Sequence, residues 1–270
     1  MSLIVTVYVN DGIVMSSDSR STLTNTIKKG SKTIQNNFPL SDSAFKTFLC
    51  SNNCGISTCG AASYNNKPIA GYIEIFIKEY IKKDTSVTEI PQLLLDYFDK
   101  IDKDAITIFH VCGYEKKEGQ LIQHAYRVVT GANGGIIDVI QTSGYGAFWN
   151  GEVSYLTKLL KNQIVNPQFI NVNDLILQLN GNPITIRKAL VMDANNIEAY
   201  DEANIAWDYM SLQDAVDFSR YAIETTIKTM QFQSVAKTVG GPIDILIITP
   251  NGAKWIKHKE ISWHRMGGGY

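Results

Sequence analysis

The sequence has little of what marks several large protein classes. Four cysteines in 270 residues are too few for a disulfide scaffold. Three of them, Cys50, Cys54 and Cys59, fall within ten residues, but the spacing does not match a zinc knuckle and no histidine lies nearby. They read as reduced, buried thiols of a cytoplasmic protein, and neither a metal nor a cofactor is called for. Charge of one sign is also lacking: 25 basic against 26 acidic residues leave a net charge of −1, which excludes the basic footprint of a nucleic-acid binder. No apolar run approaches the roughly 18 residues that would make a membrane-spanning helix. The opening Met1-Ser2-Leu3-Ile4-Val5 has no basic region or small-residue cleavage site, so no secretory signal is expected. What is present, 44% hydrophobic and 19% charged residues, is enough for a buried core and too apolar for a disordered chain.

The order of elements is more informative. Leu3 to Val9 and Ile13 to Ser17 are β-rich and flank Asn10-Asp11-Gly12, a hairpin turn signal. The polar stretch from Ser19 to Ser43 reads as a long loop or an irregular extension of the sheet. Phe45 to Ser51 and Cys54 to Cys59 form a second strand pair around Asn52-Asn53, ended by Gly60-Ala61-Ala62. Apolar residues at helical spacing predict helices over Pro68 to Lys83 and Val87 to Ile101. Strands return at Ala105 to Tyr114, Gln120 to Val129 and Gly135 to Gln141. Ser143-Gly144-Tyr145-Gly146 opens a helical segment ending near Lys161, and Asn171 to Leu179 reads as a short helix. Ser211-Leu212-Gln213-Asp214 is a cap with an acid in the first turn, starting a helix that runs to Met230. Pro242 to Thr249 and Ala253 to His258 close the chain as a hairpin, and the glycine-rich tail from Met266 to Tyr270 is expected to be mobile. Strands in blocks and helices in pairs argue against an alternating βαβ sheet. The expected fold is α+β, a four-layer αββα sandwich in which two antiparallel sheets lie between two helical layers. One domain over residues 1–270 is expected, with a longer irregular segment at 162–209.

Ser2 carries a specific chemical possibility. A small second residue permits removal of the initiator methionine, which leaves a serine hydroxyl oxygen three bonds from a free α-amine nitrogen. That unit contains both nucleophile and base. An α-amine titrates near pH 7.7–8, well placed to accept the hydroxyl proton.

Several further stretches carry a resemblance. Asp11-Gly12-Ile13-Val14-Met15-Ser16-Ser17-Asp18-Ser19-Arg20, Phe45-Lys46-Thr47-Phe48, Cys54-Gly55-Ile56-Ser57-Thr58-Cys59-Gly60 and Val239-Gly240-Gly241-Pro242-Ile243-Asp244-Ile245 stand in the order and spacing of the proteasome β-subunit family. That family belongs to the N-terminal nucleophile hydrolases, and the chain resembles most its bacterial proteasome-like, ancestral β-subunit relatives. The resemblance implies Ser2 as nucleophile, where the family has threonine. It implies Lys46 as the neighbouring ammonium, Asp18 as its partner and the Gly60 N–H as the oxyanion donor. It covers most of the chain except Asn162 to Tyr209, and the segment between Asp18 and Lys46 is longer than usual by about a dozen residues.

Two positions depart from the pattern. Tyr145 stands where the family has a serine in a glycine-rich turn, with Ser143 the nearest hydroxyl. Ala236 stands where an acid precedes the closing glycines, beside Lys237, and Ser234 is the closest substitute. The expected activity is an N-terminal serine hydrolase of peptide or amide bonds. It would act on peptide or protein substrates, as a homo-oligomer and with an ATP-dependent unfoldase as a possible partner, without nucleic acid or membrane. The competing readings are a catalytically silent shell subunit and a small-molecule amidase of the same superfamily.

Overall fold

A computed structural model describes residues 2–29, 32–65, 67–140, 144–163, 200–202 and 205–260. The expected helix from Asn171 to Leu179, the tail from Met266 and Ser143 lie outside them. Internal contacts divide the chain into two compact units, residues 1–153 with 206–270, and residues 154–205.

The larger unit is built on two antiparallel five-stranded sheets. Strands β1 (Leu3–Val9) and β2 (Gly12–Ser17) form the expected opening hairpin, paired from Val9↔Gly12 to Ile4↔Ser17. Every residue of both strands is buried, because this hairpin is central in its sheet and covered on both faces. The stretch expected as a long loop or an irregular extension of the sheet is instead a two-stranded ribbon of its own, β3 (Ser21–Lys29) and β4 (Lys32–Ser41), paired from Ser21↔Ser41 to Lys29↔Lys32 with a register shift between Ser21 and Thr22. Its Thr-rich composition suits a strand while offering no apolar period to read.

Next come β5 (Thr47–Leu49), β6 (Gly55–Gly60) and a short ladder between β7 (Ser63–Tyr64) and β8 (Lys67–Pro68). Helices α1 (Ile69–Tyr80) and α2 (Ile90–Ile101) follow. Ile69, Ile73 and Phe76 on α1 and Ile90, Leu94 and Phe98 on α2 form the buried stripes. They pack with Ile56 of β6 and with Phe109, Val111 and Val128. Each such side chain removed from water contributes about 1.5–3 kcal/mol, which is what holds these helices on the sheet.

Strands β9 (Thr107–Lys117), β10 (Gln120–Val129) and β11 (Gly135–Asp138) complete the sheet β11-β10-β9-β6-β5. Of the helical segment expected from Ser143 to near Lys161, the described residues are helical only over Ser154–Leu160. Gly146–Gly151 is a strand, β12, paired antiparallel with β1 from Tyr8↔Gly146 to Leu3↔Gly151. The outer backbone groups of buried β1 need hydrogen-bond partners, and this segment supplies them in place of its own helix.

Helix α3 (Ser154–Leu160), β13 (Lys161–Gln163) and β14 (Tyr200–Glu202) belong to the smaller unit, where β13 and β14 pair with each other. After a 3₁₀ turn at Trp207–Tyr209, α4 runs over Leu212–Gln231. Its capping box is complete: the Asp214 N–H donates to the Ser211 hydroxyl and the Ser211 N–H donates to the Asp214 carboxylate. The Ser211 hydroxyl also donates to that carboxylate at 2.7 Å, and this bond first, with the Ser211 N–H second, lowers the Asp214 pKa. The buried Ser219 of α4 meets Ser16 of β2 at 2.8 Å. Finally β15 (Asp244–Thr249) and β16 (Gly252–Lys257) complete the sheet β12-β1-β2-β15-β16.

The two sheets share an apolar layer of Tyr8, Ile13, Met15, Cys112, Ala125, Leu246 and Ile248. A buried chain of hydroxyls also joins them, with Thr47 donating to Ser17 at 2.8 Å and meeting Ser57 at 2.9 Å. No helix among the described residues is long and apolar enough to cross a membrane.

Candidate active site

Asp18 follows the last residue of β2 and is wholly buried. All the donors around it converge on its two oxygens. Oδ1 accepts the Leu3 N–H at 2.9 Å and the Lys46 ammonium at 2.6 Å. Oδ2 accepts the N–H groups of Arg20 at 3.1 Å and Gly240 at 3.0 Å. A buried carboxylate is tolerated when it is paired and each oxygen is satisfied, and this one is. Through the Leu3 N–H it is also tied to the residue after Ser2.

Lys46 precedes β5 and is nearly as buried as Asp18, at 5% exposure. Its carbonyl accepts the Thr58 N–H at 2.8 Å, which docks it to β6. Two of its three ammonium protons are engaged, by Asp18 and by the Arg20 carbonyl at 2.6 Å. Burial pulls the Lys46 pKa below its ordinary value, and Asp18 opposes that shift by charge and hydrogen bond.

Ser2, Lys46 and Gly60 line one pocket of about 320 Å³, together with Thr22, Leu23 and Thr58. The Ser2 carbonyl accepts the Glu152 N–H at 2.7 Å. Beside it Gly151 has φ +105°, and a Cβ there would lie 1.8 Å from that carbonyl oxygen, so no other residue fits against the start of β1. Gly60 ends β6 with φ +113°, and a Cβ would stand 2.9 Å from the Ile106 carbonyl oxygen. Replacing Gly60 by alanine is expected to cost on the order of 1–3 kcal/mol, measured by urea unfolding; an unchanged midpoint would show that the backbone relaxes freely there.

Of the residues expected in the site, the structure thus brings together Ser2, Asp18, Lys46 and Gly60. Ser143 lies outside the described residues. Ser234 and Tyr145 are both exposed. Lys237 is ill-suited to replace the missing acid and serves the helix instead, donating its ammonium to the carbonyls of Met230 and Gln233 at the end of α4.

Three features have no sequence signature. The Gly240 N–H reaches Asp18 across 222 residues of chain. Arg20 makes a two-pronged pair with Asp42, at 2.6 and 2.7 Å, donates to the Lys237 carbonyl at 3.0 Å, and packs on the Cα of Gly240. That pair raises the Arg20 pKa and lowers that of Asp42, each mainly through their hydrogen bonds. Third, the Thr58 hydroxyl, in the pocket wall, is buried with no hydrogen-bond partner among the described residues. The neighbouring Cys59 thiol is pushed up to about 12, chiefly by burial, and is no nucleophile at neutral pH. No group of histidine, cysteine, aspartate and glutamate suited to a metal ion occurs among the described residues.

No protein-family model matches the chain, and no curated protein matches it in sequence. Among solved structures it is similar to the Gly-1 mutant of Anbu from Hyphomicrobium sp. strain MC1, with 12% identity and a TM-score of 0.49 over 97% of this chain and 88% of that one.

Proposed function

We propose that this chain is an N-terminal serine hydrolase of peptide or amide bonds, a four-layer αββα protein of the proteasome-like kind that assembles with copies of itself. One observation carries the reading: a buried Asp18–Lys46 pair, bonded to the backbone N–H of residue 3, stands behind a pocket that holds Ser2 and Gly60. A lysine this deeply buried is costly to maintain, and a solvated strand-edge lysine would not need a carboxylate with four donors beneath it.

Once the residue before Ser2 is removed, its α-amine accepts the hydroxyl proton as Oγ attacks the substrate carbonyl carbon. The Lys46 ammonium, with one N–H left for the pocket, lowers the cost of the developing alkoxide by its positive field. The Gly60 N–H donates to the oxyanion of the tetrahedral intermediate. That intermediate collapses as the C–N bond breaks, and the proton held by the α-ammonium passes to the leaving amine. The ester left on Ser2 is then cleaved by water, which loses a proton to the amine, releases the carboxylic acid and restores the hydroxyl.

The test is labelling of the full chain by a peptide epoxyketone, which closes a ring only on an adjacent hydroxyl and free amine. Intact mass is expected to show a chain beginning at Ser2 that gains one inhibitor, and Ser2→Ala is expected to abolish the gain. A correctly trimmed chain that takes no label supports a shell subunit instead, and a label that survives in Ser2→Ala overturns the assignment of Ser2.

A further inference from the structure

A second buried ion pair lies beside the site, and the proposed chemistry does not use it. Asp244 opens β15, is wholly buried, and pairs in register with Ser17, the residue before Asp18. Its Oδ1 accepts the Lys259 backbone N–H at 2.8 Å and lies 3.5 Å from His258 Nδ1, while its Oδ2 takes the Lys259 ammonium. The same ammonium stands over the Phe45 ring, 4.6 Å from its centroid. The ring of His258 stacks on Trp255 at 4.0 Å and meets Phe45 at 5.4 Å. Phe45 lines the candidate site and immediately precedes Lys46.

The backbone explains how the chain gets there. In the β15–β16 pair, Ile245 faces Lys257 but Leu246 faces Trp255, so Ile256 is an extra residue in the ladder. Such a bulge bends its strand and re-aims the residues beyond it, here turning 258–259 back across Asp244 and Phe45.

We propose that residues 257–259 are a positioning strap for the candidate site: Lys259, anchored on Asp244, clamps the Phe45 ring and so fixes the backbone that presents Lys46. A cation–π contact and a buried ion pair on one ammonium leave that ring little freedom. The strap also acts through charge, since Lys259 is a second cation near Lys46 and works with burial against its protonation. The other titratable groups felt around Lys46 are Asp18, Asp42 and the Cys59 thiol. The consequence at Ser2 rests on the hydrolase reading; the effect on Lys46 does not.

The experiment is an NMR titration of the Lys46 side chain in the full-length protein with labelled lysine, its signals assigned as those lost in Lys46→Arg. Lys259→Met removes a like charge and leaves Asp244, so the Lys46 midpoint is expected to rise. Asp244→Asn leaves Lys259 unpaired, so the midpoint is expected to fall. Shifts of one sign in both variants, or none, overturn the proposal, because a merely structural role has no reason to give opposite signs. Should either single variant fail to fold, Asp244→Asn/Lys259→Met removes both charges and reads the clamp alone: the Phe45 and Lys46 amide signals are expected to move, and unchanged signals overturn it. Epoxyketone labelling run in parallel is expected to slow on the order of tenfold when the strap is cut and to be kept in Lys259→Arg. If the parent chain takes no label at all, the hydrolase reading fails while the titration still decides the strap.

Discussion

Asp18→Asn, a change of one atom, is expected to destabilise the protein by about 3–5 kcal/mol. The reason is that no orientation of the amide fits. Both carboxylate oxygens only accept: Oδ1 from the Leu3 N–H and the Lys46 ammonium, Oδ2 from the N–H groups of Arg20 and Gly240. An asparagine must place its NH₂ against one of these donor pairs, and flipping it only moves the conflict to the other. Lys46 meanwhile becomes a buried cation with no countercharge. Urea unfolding at neutral pH measures the loss, and a change under 1 kcal/mol would mean that the pair is more hydrated than its burial implies. In any fraction that stays folded, labelling of Ser2 is expected to disappear, because Asp18 also holds the residue that follows it.

The same contacts mark where the sequence was legible. The opening hairpin, the strand pair at 47–60 and helices α1 and α2 could be read because local chemistry and burial agree there. Asn10-Asp11-Gly12 makes the turn, and Ile69, Ile73 and Phe76 fall on one helix face. The ribbon at 21–41 could not be read, because its polar, Thr- and Asn-rich sequence carries no regular apolar alternation to mark a strand. Residues 146–151 misled for the opposite reason. Their conformation is set by β1, which needs a partner on its open side, and not by their own preference. At the site, the order of Ser2, Asp18, Lys46 and Gly60 was visible. The three backbone donors to Asp18, from Leu3, Arg20 and Gly240, were not, because backbone N–H groups have no side-chain signature, and Gly240 is 222 residues away in the chain. Asp244 and Lys259 were hidden similarly: the bulge at Ile256 that brings them together leaves no trace in composition.

Between pH 7 and pH 4 the protein is expected to lose about 3 kcal/mol more stability than its His110→Gln variant does. His110 lies on β9 between the sheets, wholly buried, with its ring 4.1 Å from that of Phe148. Nε2 meets Asn150 Oδ1 at 2.9 Å and Nδ1 meets Thr6 Oγ1 at 2.9 Å. The neutral ring satisfies both contacts, donating to Asn150 and accepting from Thr6; a second proton would have to displace the Thr6 donor. Burial holds the His110 pKa down to about 3, the Asn150 bond resisting and the Arg127 charge adding to it. Because the folded value lies below the unfolded one, the unfolded chain binds the proton first. Stability is therefore complete above about pH 6.5 and falls by about 1.4 kcal/mol per unit as the pH drops from there toward 3. Glutamine can form both hydrogen bonds but cannot titrate, so unfolding of the two proteins at both pH values isolates this group from the carboxylates they share. Equal losses would mean that His110 takes its proton without leaving the fold. The proton also bears on the candidate site. Asn150 precedes Gly151, whose Cα lies against the Ser2 carbonyl, so protonation of His110 is expected to loosen the strand that seats the proposed nucleophile. Ser2 labelling in the parent chain is accordingly expected to fall more steeply below pH 6.5 than in His110→Gln.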